Sequence, residues 1–166
     1  MTRLQQSAYD AQLAASLPAS RLGLELLVPR DGAIALQDCA RYLAVVQRLG
    51  WFTAAFPAHD APVTVVGGRG RSHADAAERR IKIAAADRRD VSRCEHACLH
   101  ELAHLVTSDV EADGRLREPR LGRGSSKGHH HAWRANFVLM VRMTAGKQAA
   151  ARLRREFDQW GLPTAK

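Results

Sequence analysis

The 166-residue chain is poor in cysteine, has no long apolar run and lacks a phosphate-binding glycine loop, and each of these shortages closes off a class of function. Its three cysteines are an odd number, and none forms a Cys-x-x-Cys pair, which argues against both a disulfide framework and a cysteine zinc site. They are expected as small buried hydrophobes in a reducing, cytoplasmic compartment. No segment approaches the length of a membrane span, and the N-terminal stretch has no basic cap followed by an apolar run, so a soluble protein without membrane association is expected. Gly67-Gly68-Arg69-Gly70 is not followed by Gly-Lys-Ser/Thr, which removes the phosphate-loop reading. Acidic residues are also in deficit: 17 against 25 basic ones give a formal charge of +8. The basic residues are scattered among the acids, a distribution that fits a solvated surface as well as a nucleic-acid partner.

What is present is one motif whose spacing carries chemistry. Cys98-Leu99-His100-Glu101-Leu102-Ala103-His104 contains His-Glu-x-x-His. On a helix, His100 and His104 stand one turn apart and can offer two imidazole nitrogens to a single metal ion. Glu101, about 100° further round than His100, is placed to hold and deprotonate a water at the metal instead of acting as a third helical ligand. Zinc lowers the pKa of such a water to about 7, so the pattern suits metal-assisted hydrolysis.

The length suits one domain, taken as residues 1–166. Helical spacing predicts an N-terminal helix over Leu4 to Leu17, and Pro18 stops it. Leu22 to Val28 reads as a strand or extended segment. Cys39, Tyr42, Leu43, Val46 and Leu49 predict a helix from Leu36 to Leu49 with Gly50 as its cap, followed by an aromatic core cluster of Trp51, Phe52 and Phe56. Pro62 to Val66, Arg71 to Ala76 and Arg80 to Ala84 predict a small antiparallel or mixed sheet. Ser92 and Glu95 match a capping box at the start of the motif helix, with Cys94, Cys98, Leu102 and Leu105 on its core side. Residues 108–128 read as a long exposed loop that carries Arg115, Arg117, Arg120, Arg123 and Lys127. Two amphipathic helices follow, over Ala132 to Thr144 and Lys147 to Trp160, separated by Gly146.

A catalytic zinc normally has three protein ligands and one open position. The extended motif His-Glu-x-x-His-x-x-Gly-x-x-His is excluded, because Thr107 and Val110 stand at its last two marked positions. Glu111 and Glu118 fall in the glycine-rich loop and are poor candidates. The run His129-His130-His131 opens the next predicted helix. Counted back from Trp133, His129 lies one turn earlier on the same stripe and His130 on its other flank, so either can point inward, whereas His131 faces away.

Leu99-His100-Glu101-Leu102-Ala103-His104, with His129 ahead of Trp133-Arg134-Ala135-Asn136-Phe137, resembles a metallohydrolase family of actinobacteria and their phages, and more remotely the SprT-like zinc proteases. Further likeness runs through Gln6 to Tyr9, Pro62 to Val65, Arg71 to His73 and Ile81 to Ile83. The resemblance implies a zincin-like α+β fold, with a small sheet packed against the active-site helix. It implies one zinc per chain held by His100, His104 and His129, with Glu101 as general base. His130 stands where that family usually carries glycine, which keeps it as an alternative ligand. The expected activity is a zinc-dependent hydrolase acting on a peptide or protein. Arg71 to Ala76 is the expected substrate-pairing edge, with His73 as a weaker candidate for holding the oxyanion. A basic, DNA-associated SprT-like protein and a non-catalytic zinc-binding interaction module are the alternatives.

Overall fold

The computed structural model describes residues 17–107, 109–110, 116–117 and 131–162. The helix expected over Leu4 to Leu17 therefore lies outside the described residues, apart from its last position.

The described chain begins with a short helix, α1 (Arg21–Leu26), where a strand or extended segment was expected. Two local features decide for the helix. Ser20 is its N-cap, with Oγ accepting the Gly23 N–H at 3.0 Å. Its inward positions, Leu22, Gly23, Leu26 and Leu27, repeat at helical spacing, while Leu24 and Val28 stay exposed. Two two-residue strands, β1 (Pro29–Arg30) and β2 (Ala33–Ile34), form a tight antiparallel hairpin leading into helix α2 (Leu36–Arg48). The helix buries Cys39, Tyr42, Leu43 and Val46, as the periodicity predicts. Gly50 does not cap it. Leu49 turns extended, ending α2 and opening a further helix, α3 (Gly50–Ala55). The Phe52 ring of α3 packs against Phe56 at 5.0 Å and Trp51 at 5.6 Å, completing the expected aromatic cluster.

The sheet is mixed. Strand β5 (Arg80–Ala84) is central, pairing in parallel with β3 (Thr64–Gly68) and antiparallel with β4 (His73–Asp75). Ile81 and Ile83 of β5 are fully buried, which is what its alternation of polar and apolar residues requires.

After a 3-10 turn at Ala85–Arg89 comes the motif helix, α4 (Val91–Thr107). It starts at Asp90 instead of at a capping box: Asp90 Oδ1 accepts the Arg93 N–H at 2.9 Å, and the Asp90 carbonyl accepts the Cys94 N–H. The 3-10 turn brings Asp90 to the cap position, and Glu95 is taken up by tertiary contacts. Helix α4 packs against β4, β5, α2 and α5 (His131–Ala145), and α5 packs on α6 (Lys147–Gln159). Gly146, with φ +94°, makes the break between the last two helices in a conformation unfavourable for other residues.

Part of the segment expected as loop forms a minimal hairpin, in which Asp109–Val110 (β6) pairs antiparallel with Leu116–Arg117 (β7). The rest of 108–128 lies outside the described residues, including Arg115, Arg120, Arg123 and Lys127. The architecture is α+β, with the core formed between the sheet and helices α2, α4, α5 and α6. No described helix is long and apolar enough to cross a membrane.

Candidate metal centre

Helix α4 is enclosed to an unusual degree for one rich in polar residues. Every residue from Cys94 to Ala103 is buried, including Glu95, His96, His100 and Glu101. Burying a polar side chain costs free energy unless it finds a partner, so each of these residues needs a physical account.

Glu95 has one. Its carboxylate accepts the Ser20 backbone N–H at 2.7 Å and the Tyr42 hydroxyl at 2.7 Å, and it also accepts a short hydrogen bond from the Ser20 hydroxyl. Burial first, and the adjacent carboxylate second, push the Tyr42 phenol well above its usual range and keep it a donor. Gly23 is required beside this group, since a Cβ there would lie 2.6 Å from Glu95 Cδ. Glu95 thus pins α1 and α2 to the start of α4.

Two turns further on, His100, Glu101 and His104 bring one ligand atom each within 4.8 Å of one another. His100 Nε2 stands 3.9 Å from Glu101 Oε1. His100 and Glu101 are buried and His104 is half-buried, so the cluster runs from the core towards the surface along one helix face. Helix α5 walls it in. Trp133 stacks on His104 with centroids 5.0 Å apart, meets the edge of His100 at 4.7 Å and donates its indole N–H to the His100 carbonyl at 3.3 Å. Phe137 packs on His100 at 5.6 Å. At the end of α4, Asn136 donates to Thr107 Oγ1 at 2.9 Å and Thr107 donates to the Ala103 carbonyl, so the residue that departs from the longer histidine motif ties the two helices together. Two imidazoles one turn apart, with a carboxylate beside them in a partly buried site, are a set that could hold a divalent metal ion such as zinc by the histidines and leave the carboxylate to act next to it.

Helix α5 begins at His131, which is exposed as expected. His129 and His130 lie outside the described residues, as do Glu111 and Glu118. His73 is exposed at the start of β4, which is an edge strand among the described residues. That edge is held beside α4 by Asp87, whose carboxylate accepts the Ser72 hydroxyl at 2.6 Å and pairs with Arg93 at 2.8 Å.

Two features escaped the sequence reading. His96 precedes His100 by one turn, with ring centroids 5.9 Å apart, and packs edge-on to Phe137 at 5.1 Å. Both its nitrogens are buried without a hydrogen-bond partner among the described residues. Burial holds it neutral, with its pKa drawn down to about 4. The spacing of His96, His100 and His104 at successive turns was the available signal. The second feature is the meeting of Cys39 with Cys94 and Cys98. All three thiols are buried, as the core assignment predicts, yet their sulfurs lie within 4.8 Å of one another.

Compared with known proteins, the chain matches no family model, no curated protein and no solved structure.

Proposed function

We propose that this chain is a zinc-dependent hydrolase of the metallopeptidase type, as the resemblance to actinobacterial metallohydrolases implies. The observation that carries the reading is the convergence of His100, Glu101 and His104 within 4.8 Å on a helix otherwise closed into the core. His100 and His104 would hold the ion, and His129 is the proposed third ligand, with His130 as its alternative. Zinc held there would supply Lewis acidity, both towards a scissile carbonyl and towards a water whose pKa it would lower to about 7.

The protein's own part is positioning and proton transfer. Glu101 takes the proton of the attacking water on a carboxylate oxygen and returns it to the leaving nitrogen. Trp133 and Phe137 fix the imidazole planes and exclude bulk water on their side, which strengthens the electrostatics of the site. An extended substrate would pair with the β4 edge, whose contact with α4 supports that docking mode.

The reconstituted protein should carry zinc at this site, and His100→Ala or His104→Ala should remove it. Glu101→Gln should retain the zinc and lose peptide hydrolysis by at least about a hundredfold, the scale of a lost general base. An unloaded site after reconstitution would defeat the ligand assignment. Full activity in Glu101→Gln would defeat the base assignment.

The charge of +8 supports a second reading, in which the same site serves a DNA-associated protein. Phosphate contacts make such binding fall steeply with salt. Gel-shift titrations on single- and double-stranded DNA should then show that dependence, and no shift at low salt removes the reading.

A further inference from the structure

All three cysteines of the chain meet at one point in the core, and they come from two helices. Cys39 stands in the first turns of α2, while Cys94 and Cys98 occupy successive turns of α4. Cys39 Sγ and Cys94 Sγ are 3.5 Å apart, and all three sulfurs lie within 4.8 Å of one another. Thiolates sharing a zinc ion at the usual bond length of about 2.3 Å lie about 3.8 Å apart in tetrahedral geometry and about 4.0 Å apart in a trigonal plane. The 3.5 Å between Cys39 and Cys94 is within a few tenths of an ångström of the tetrahedral value, and Cys98 Sγ lies no more than 4.8 Å from either. Packing alone asks for nothing so specific: a buried cysteine that only fills space can sit anywhere in a core, and alanine or valine would serve as well.

The charge around the cluster supplies a second observation. Arg88, in the 3-10 turn before α4, donates Nη1–H to the Ile34 carbonyl at 2.8 Å, and its Nε is buried with no partner among the described residues. Its positive charge favours the thiolate at Cys39 and acts against the hydrogen bond to Cys39 and the burial that push the Cys94 thiol up. Asp38, which opposes it at Cys39, is itself paired with Arg41 at 2.9 Å.

We propose that Cys39, Cys94 and Cys98 form a second, independent metal site for a soft divalent d10 cation, zinc in the cell, distinct from the His100/Glu101/His104 centre. Three thiolates, one divalent ion and the Arg88 guanidinium sum to zero charge, whereas a monovalent ion such as cuprous copper leaves one negative charge in the core. Each ligating thiol gives its proton to solvent. A d10 ion has no ligand-field preference, and the three sulfurs would fill three of its four tetrahedral positions, the fourth being left to water or hydroxide. The site would cross-link α2 to α4 across the core, making its role structural and separate from hydrolysis.

Cadmium is a suitable probe because its thiolate complexes absorb in the ultraviolet by charge transfer and its imidazole complexes do not. The full-length reduced protein and the His100→Ala/His104→Ala variant should both develop that band on titration, saturating at about one thiolate-bound ion per chain. Cys94→Ala and Cys39→Ala, checked for native circular dichroism, should lose the band. In the unsubstituted protein, zinc should protect the three thiols from alkylation by at least tenfold, and a chelator should restore their reactivity. That comparison needs no variant to fold. A missing band together with thiol reactivity indifferent to zinc and chelator overturns the proposal. Zinc bound only by the histidine centre would give that result, whereas failure of the histidine centre alone would leave the cadmium band intact.

Discussion

Replacing Glu95 tests how the motif helix is anchored. Its carboxylate collects three donors from two other helices' worth of chain: the Ser20 N–H, the Ser20 hydroxyl and the Tyr42 hydroxyl. A hydrogen bond to a charged group contributes about 1.5–3 kcal/mol, and burying the charge costs several kcal/mol in return. The net value of the arrangement is therefore small, but removing one side of it is not. Glu95→Ala leaves three buried donors facing a void and should cost about 3–5 kcal/mol, a large share of the roughly 5–15 kcal/mol available to a domain. Tyr42→Phe removes a single donor and should cost about 1.5–3 kcal/mol. Because both act on one network, the double variant should be clearly less destabilised than the sum of the two. Urea unfolding followed by far-ultraviolet circular dichroism gives these numbers, provided the slope is unchanged between variants. A Glu95→Ala midpoint within about 1 kcal/mol of the parent would refute the reasoning. So would loss of zinc without loss of stability, since that would make Glu95 a ligand.

Two further predictions follow from the histidine face. His96→Leu removes two unpartnered buried nitrogens at similar volume and should stabilise the metal-free protein by about 1–3 kcal/mol, read as a raised melting temperature; a lowered one would show that His96 has a partner. Trp133→Ala should cost about 3–5 kcal/mol through the cavity it leaves and should weaken zinc binding at His100 and His104, measured by competition with a chelator; unchanged zinc affinity would show that the indole does not orient the imidazoles.

The sequence was most legible where one periodicity governs a long segment. Cys39, Tyr42, Leu43 and Val46 marked α2, and Trp133, Phe137 and Met140 marked α5, because a helix face packed on a core must repeat at three and four residues. The structure departs from the local pattern where a distant contact outweighs it. Ser92 and Glu95 have the residue types of a capping box, but Glu95 is claimed by Ser20 and Tyr42, and the cap falls to Asp90. Leu22 to Val28 looked extended because four leucines and a valine crowd it, and the deciding residues were the polar Ser20 and the small Gly23. The candidate centre divides the same way. His100, Glu101 and His104 are close in sequence and were found by spacing, whereas the cysteine cluster joins positions 55 residues apart, a separation across which no local pattern points.

The two faces of α4 also explain how so polar a helix can be buried. One face carries Glu95, Cys94 and Cys98 against α1 and α2; the other carries His96, His100 and His104 against the Trp133 and Phe137 rings. A helix held on only one side can roll, and a roll of a few degrees would move two imidazoles relative to any ligand supplied from another element. The carboxylate network and the thiols fix the helix from the side away from the aromatic wall, while the Thr107–Asn136 hydrogen bond fixes its far end to α5. Preorganisation of this kind is what a catalytic metal centre needs, because its ligands must hold an open coordination position instead of collapsing onto it. The buried polar residues that look costly one by one are therefore best understood together, as the framework that sets the orientation of His100, Glu101 and His104.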